Sequence, residues 1–276
     1  MSSIINTNIA SLNTQRNLSS SQASLTTSMQ RLSSGLRINS AKDDASGLAV
    51  ATKMDSQVRG MSVAVRNAND AVSYAQTADG GLSKLSDSLQ RMRELAVQGA
   101  NATTDNSSLA TEFTQLQQEI SRVSNNTIFN GSNVLAGGTK TFQVGAGTTA
   151  NDSVSIVSTD LTGATTDTAK AADSTTIDVS TSAKSLLAVS QIDLALKEVN
   201  KERSTYGASQ NRFESIISNL QVSIENQTAA KSRIMDADFA TETANLSRSQ
   251  ILQQAGTAML AQANSLPNGV LALLRG

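Results

Sequence analysis

The apolar residues of this chain recur three and four positions apart over most of its length. Ala51, Met54, Val58, Met61, Val65, Ala68, Val72 and Ala75 alternate in that way, a spacing that turns one helical stripe toward a partner helix. After Gly80-Gly81 a second phase runs through Leu82, Leu85, Leu89, Met92 and Ala96, and a third segment carries Leu109, Phe113, Leu116, Ile120 and Val123. Small and polar residues over 99–108 read as the turn between them. The longest seam is Val189, Ile192, Leu196, Val199, Tyr206, Phe213, Ile217, Leu220, Ile224 and Ile234. It predicts a helix over 189–234, roughly 65–70 Å long at ~1.5 Å per residue. Arg203, Gln210, Gln227 and Lys231 interrupt that seam, and polar residues at such positions fix register or partner.

The helical period stops over 130–183, where Gly, Ser, Thr, Asn and Asp dominate. Phe142 and Val144, then Val154 and Ile156, alternate with polar residues on either side of a small-residue stretch, which predicts a β-hairpin. Ile177 and Val179 offer a third short strand. The stretch around 161–175 reads as an exposed loop. The glycines at 80 and 81 suit either a helix-packing point or a hinge, and spacing does not choose between them.

The ends repeat the helical pattern more weakly. Ile5, Ile9, Leu12, Leu18, Leu25, Met29, Leu32 and Leu36 mark the first, and Leu246, Leu252, Met259, Ala263, Leu266, Val270 and Leu273 the last. Ser, Thr and Asn fill much of the remainder, and these are mediocre helix formers. Paired only with each other, such ends bury too little apolar surface to offset the cost of ordering them. They are expected to be disordered in the monomer and to fold against other subunits.

Composition narrows the function. The single proline, Pro267, leaves nearly the whole chain free of helix breakers. There is no His and no Cys, which removes imidazole acid–base chemistry, thiol nucleophiles, disulfides and the common zinc sets. No cofactor is expected. No apolar run approaches the roughly 20 residues that span a bilayer, so no membrane insertion is expected. The start lacks the charged and apolar regions of a secretory signal, so any export is expected to use another route.

Charge separates the ends from the middle. All 23 acids lie in 43–242, together with 16 of the 22 bases, so that middle carries a net −7. Residues 1–42 and 243–276 carry a few bases and no acid. These bases are sparse and lack interleaved aromatics, so nucleic acid is not the expected partner. Salt bridges cannot join two like-charged ends, and their pairing must rest on apolar contacts and amide or hydroxyl hydrogen bonds.

Several long strings in this sequence resemble the bacterial flagellin family. On the N-terminal side they run from Arg31-Leu-Ser-Ser-Gly-Leu-Arg-Ile-Asn-Ser through Ala41-Lys-Asp-Asp-Ala-Ser-Gly47. Arg66-Asn-Ala-Asn-Asp70, Gln90-Arg-Met-Arg-Glu-Leu-Ala-Val97 and Phe129-Asn-Gly131 follow. On the C-terminal side the resemblance continues through Gln210-Asn-Arg-Phe213, Ser232-Arg-Ile-Met-Asp-Ala-Asp-Phe239 and Gln250-Ile-Leu-Gln-Gln-Ala-Gly-Thr257. It ends in Leu266-Pro-Asn-Gly-Val-Leu-Ala-Leu-Leu-Arg275. It covers nearly everything except about 132–185.

The resemblance implies a mainly α fold of long antiparallel helices in a coiled-coil bundle with a small β-hairpin region. The terminal helices would pair as an inner domain. Residues 1–42 and 235–276 would be the inner-core helices, 43–131 and 186–234 the two parts of the bundle, and 132–185 the hairpin and a variable loop. The family's large outer domains are absent. The inner-core seam would use Ile5, Ile9, Leu12, Leu25, Met29, Leu32, Leu252, Met259 and Leu266.

The implied function is a subunit that polymerises with itself into the helical flagellar filament for motility. Such a subunit is exported unfolded by the flagellar type III apparatus to the cell exterior. Implied partners are a flagellin secretion chaperone, the filament cap and the hook-associated junction proteins. Gln90, Arg91, Leu95 and Glu112 match positions that, in flagellins of similar sequence, contact Toll-like receptor 5 in an animal host. On spacing alone, Arg91 and Glu112 are equally well solvated helix charges, and Leu95 lies one place off the stripe that ends at Ala96. Val270, Leu271, Leu273 and Leu274 match an apolar end that NAIP-type cytosolic sensors and the chaperone bind, and the same residues would pack the filament core. Two other classes compete. One is a secreted coiled-coil effector that acts as a monomer. The other is an enzyme carried on a flagellin frame, for which a His-Glu-x-x-His site is impossible without histidine.

Overall fold

A computed structural model describes residues 7–101, 106–162, 166–173 and 177–275, with side chains as far as 265. The fold is mainly α, as the spacing predicts. In chain order it comprises α1 (Ile9–Ser34), α2 (Ala45–Gly99), α3 (Asn106–Asn126), the short strands β1 (Ile128–Phe129) and β2 (Ser132–Asn133), and β3 (Gly138–Gln143). These are followed by β4 (Ser153–Ser158), α4 (Asp167–Ala172), α5 (Ser182–Met235) and α6 (Phe239–Arg275). The residues form two compact units: Met1–Ser56 with Asn226–Gly276, and Gln57–Glu225.

The core of the unit Gln57–Glu225 follows one continuous row on α2. Met61, Ala64, Ala68, Ala71, Ala75, Ala78, Leu82, Leu85, Leu89, Met92 and Ala96 are all buried, three and four apart without a slip. The second phase expected after Gly80-Gly81 therefore does not exist. Val65 and Val72 drew the expected stripe one place aside, because Ala64 and Ala71 are faint in any hydropathy pattern. Phe113, Ile120 and Val123 of α3 and Ile192, Ala195, Val199, Tyr206 and Phe213 of α5 complete the core.

Five of the seven aromatic residues meet in this unit. Tyr74 stands edge-on to Phe129 with ring centroids 5.9 Å apart, and it lies 5.8 Å from Phe142 and 6.4 Å from Tyr206. Phe142 in turn meets Phe213 at 5.7 Å. The Tyr206 hydroxyl donates to the Val134 carbonyl at 3.0 Å, which satisfies its buried polar tip. Burial pushes the Tyr74 hydroxyl up to about 12.

The predicted hairpin forms with β3 antiparallel to β4, Phe142 opposite Val154 and Lys140 opposite Ile156. A second, smaller hairpin pairs β1 with β2 around Asn130-Gly131. Both turn residues have positive φ, 47° and 77°, the turn that Asn-Gly favours. Two expectations fail in the neighbouring segment. Ile177 and Val179 form no strand but are buried in irregular chain. The stretch expected as an exposed loop contains α4 and buries Leu161, Thr168 and Ala171. Polar side chains hold it down: the buried Gln117 amide donates to Ile177 O at 2.9 Å, and Glu198 accepts from both the amide and the hydroxyl of Thr168. A period search finds no such anchor, because each is a single residue.

Two polar interruptions of the long seam tie α5 to α2. Arg203 pairs with Asp79 at 2.9 Å in the unit Gln57–Glu225, and Lys231 pairs with Asp55 in the other. Each pair forms at one helix register only.

The glycines at 80 and 81 are a packing point. A Cβ on Gly81 would lie 2.9 Å from the Thr127 side chain, whereas one on Gly80 would meet nothing within 4 Å. Gly80→Ala is therefore expected to raise stability by about 1 kcal/mol through helix propensity, and Gly81→Ala to lower it by a similar amount as Thr127 is displaced. Thermal unfolding of the two variants checks the opposite signs.

Candidate functional site

In the unit Met1–Ser56 with Asn226–Gly276, α1 and α6 lie antiparallel. Helix α1 is rich in Ser and Thr, yet many of its hydroxyls donate to the carbonyl four residues back, as Thr14 does to Ala10 O and Ser21 to Asn17 O. Those hydroxyls are thus occupied without unwinding the helix. Asn8 accepts from Ser11 N at its start, and Gly35, with φ of 73°, closes its end by donating to Arg31 O.

The face α1 turns inward is Ser11, Thr14, Leu18, Ser21, Leu25, Ser28 and Leu32. Glu242, Asn245, Ser249, Gln253, Gly256, Leu260 and Ala263 answer from α6, all of them buried or half-buried. Small residues let the backbones approach: a Cβ on Gly256 would sit 3.2 Å from Leu18. Hydrogen bonds then reach across, from the Asn8 amide to Ala263 O at 2.8 Å and from the Ser11 hydroxyl to Asn264 at 2.7 Å.

The inner-core residues expected from the sequence are divided by this geometry. Leu25 and Leu32 lie half-buried in the seam. Ile9, Leu12, Met29, Leu252 and Met259 lie outside it and are exposed. The α1 pairing face therefore alternates leucine with serine, while other large apolar side chains occupy the flanks. Ile5 lies outside the described residues. Leu266, Val270, Leu271, Leu273 and Leu274 lie in α6 beyond the last described side chain.

The two signature strings Arg31–Gly47 and Ser232–Phe239 converge where the chain leaves α1 and passes from α5 to α6. Arg37 N donates to Met235 O at 2.6 Å, and Ala237 N donates to Gly35 O at 2.9 Å. The Arg37 guanidinium reaches Ile234 O at 2.7 Å, placing a cation on the carbonyl end of α5. Ile38 is buried beside Gly47. Asp43 accepts from Asn39 N and Ser40 N, and Asp238 accepts from the Thr241 hydroxyl and Ala240 N. These bonds favour the charged form. The Asn39 amide, followed by Ser40, holds Asp43 below the usual aspartate range, and the Thr241 hydroxyl does the same for Asp238.

In the other unit, Arg91 and Glu112 are exposed and joined at 2.8 Å, with Glu94 at 3.0 Å on the other side of the guanidinium. These carboxylates, Glu112 foremost, raise the Arg91 pKa above its ordinary value. Gln90 is exposed beside them. Leu95 departs from the expectation of a receptor contact: it is only 1% exposed and belongs to the core. Helix α2 meets both α3 and α5 there, and so both Leu95 and Ala96 are buried. Sequence reasoning missed Arg93, which joins Asp193 of α5 at 2.7 Å. Nothing in the spacing marked that partner, 100 residues away.

Two long helical ends in close register, with large apolar side chains left exposed on their flanks, are the architecture of a helical structural protein. The comparisons make this specific. A model of the bacterial flagellin N-terminal helical region matches residues 5–140, and one of the C-terminal helical region matches 189–274. A flagellin of Halalkalibacterium halodurans is 43% identical over 99% of this chain and 100% of that protein. The flagellar filament 33 kDa core protein of Treponema phagedenis is 40% identical over 99% and 100%. Bacillus subtilis flagellin is 41% identical over 98% and 99%. A crystal structure of Bacillus cereus flagellin, 30% identical, aligns over 56% of this chain and 88% of that chain with a TM-score of 0.48. The chain belongs to the bacterial flagellin family. It is a structural protein of the flagellar filament and not an enzyme.

The two depressed aspartates predict an acid limit for the junction. A lowered folded-state pKa gives stability that is present above the unfolded value and lost as pH falls through the folded one. The thermal midpoint is therefore expected to fall as pH drops through and below the ordinary aspartate range. Asp43→Asn with Asp238→Asn, which keep an acceptor but carry no charge, should flatten that fall. Thermal midpoints recorded across the acid range check it.

Proposed function

We propose that the exposed flanks of α1 and α6 are the surfaces by which this subunit packs against its neighbours in a helical filament outside the cell. The observation that carries the reading is the position of Ile9, Leu12, Met29, Ile251, Leu252 and Met259, large apolar side chains left between 49% and 65% exposed among the described residues. Grouped apolar surface of this kind marks an association site. Past Glu242, neither helix carries a carboxylate, so association along these flanks is apolar and hydrogen-bonded rather than ionic. Contacts between unlike faces of successive copies leave the assembly open, as a filament requires.

In this reading 1–42 and 235–276 form the inner core, 43–131 and 186–234 the surrounding bundle, and 132–185 the outer surface. The apolar flanks of the two ends are covered only in the filament, and the subunit leaves the cell unfolded through the type III apparatus, escorted by a secretion chaperone that binds the apolar C-terminal residues. The filament cap and the junction proteins complete the ends of the polymer. In a host, NAIP-type sensors would read Val270, Leu271, Leu273 and Leu274. Toll-like receptor 5 would read the exposed Gln90, Arg91 and Glu112, with Leu95 supporting that face from beneath.

Purified monomer seeded with short filament fragments is expected to grow long, regular filaments. Stalled growth would favour a junction protein, and no growth at all a monomeric effector. For the receptor face, Arg91→Ala is expected to lower Toll-like receptor 5 signalling by the monomer about tenfold, the change that one lost charge-assisted contact is worth. A reporter-cell titration with folded variant measures it, and an unchanged response would remove Arg91 from the contact.

A further inference from the structure

We propose that Met29 and Met259 are oxidation sites through which peroxide controls whether a subunit can enter the polymer; this rests on the filament reading above. The chain has seven methionines, and the six described ones fall into three groups. Met61 and Met92 are 7% and 0% exposed in the core of the unit Gln57–Glu225, and Met54 and Met235 are half-buried. Met29 and Met259 are 49% and 61% exposed. The two most exposed of the described methionines thus lie on the two helices whose exposed apolar flanks await a neighbour.

The chemistry is a two-electron oxygen transfer. A sulfur lone pair attacks one peroxide oxygen, an S–O bond forms as the O–O bond breaks, and the other oxygen leaves as water with the proton given up by the transferred one. The sulfur is oxidised to a sulfoxide and needs no catalyst beyond access to the oxidant. The product is polar and carries a strong acceptor oxygen. On α1 and α6 that oxygen would have to be buried on assembly. The hydroxyls near Met29 on its own helix are already engaged, since Thr26 donates to Gln22 O and Thr27 to Ala23 O, and Met259 lies one heptad from the exposed Leu252. A buried acceptor without a donor opposes association.

The same geometry makes the effect directional. A methionine already covered by a neighbouring copy is shielded, so oxidant reaches free subunits and spares finished filament. Sulfoxide reductases reverse the change, which makes it a reversible block on growth rather than damage to the organelle.

Soluble subunit treated with hydrogen peroxide is digested and mapped by mass, and its extension of filament seeds is timed. Sulfoxide should appear at Met29 and Met259 ahead of Met61 and Met92. Extension should slow at least about tenfold, the equivalent of one apolar side chain left unburied. Methionine sulfoxide reductases should restore it. The Met29→Leu, Met259→Leu double variant, a near volume-conserving change, should extend at the untreated rate with or without peroxide. Finished filaments should keep both positions unmodified under the same dose.

Normal extension by subunit oxidised at both positions would overturn the proposal. So would equal oxidation of filaments and subunits, or lost extension in a double variant whose helical content is intact. Reductase rescue applies the test without any substitution. Untreated subunit that fails to extend seeds would instead overturn the filament reading, and the oxidation map would show which of the two had failed.

Discussion

Close approach of helix backbones is the constraint on which this structure depends. Alanine occupies five consecutive places in the buried row of α2, from Ala64 to Ala78, before leucine takes over. Within that stretch Tyr74 meets Phe129, Phe142 and Tyr206 from the hairpins and α5. Serine, glycine and alanine play the same part between α1 and α6. Small seam residues give up buried apolar area and gain short interhelical distance and hydroxyl or amide bonds across it. The cost falls on the terminal pair, where Ile9, Leu12, Met29, Leu252 and Met259 remain on the flanks.

Charge supports this division. Every acid of the unit Met1–Ser56 with Asn226–Gly276 lies between 43 and 55 or between 236 and 242. There Asp55 pairs with Lys231, and Glu242 stands 3.8 Å from Arg31. Ionic contacts are confined to the region where the chain turns. Along the rest of α1 and α6 no carboxylate is present to pin a neighbour by charge, and the remaining interactions there vary little with salt.

Much of this was legible in the sequence. The long helices, the β3–β4 hairpin and the end of α2 at Gly99 follow from periodicity and turn residues, since these features repeat or stand out in composition. Individual anchors were not legible. Gln117, Thr168 and Glu198 convert an apparent loop into buried chain, and each acts through one contact with a residue distant in sequence. The phase error at Gly80-Gly81 has a related cause: alanine contributes fully to packing and hardly at all to a hydropathy pattern. Leu95 shows the converse, since a residue one place off the stripe is still buried where α2 meets two other helices. At the ends, the pattern of Ile9, Leu12, Leu252 and Met259 was visible, but which way it faces depends on Ser28, Ser249 and Gly256, residues that no hydropathy scale emphasises.

The backbone bonds that join 35–37 to 235–237 also have a bearing on time. Arg37 and Ile234 are 197 residues apart, so this junction closes a loop that spans most of the chain. Contacts of such separation must pay loop-closure entropy before they return any energy, and they form late in folding. Local helices and hairpins have no such delay. A newly made chain therefore passes through an interval in which its middle is already helical and its two ends are still apart, and the length of that interval is set by topology rather than by the stability of the finished fold.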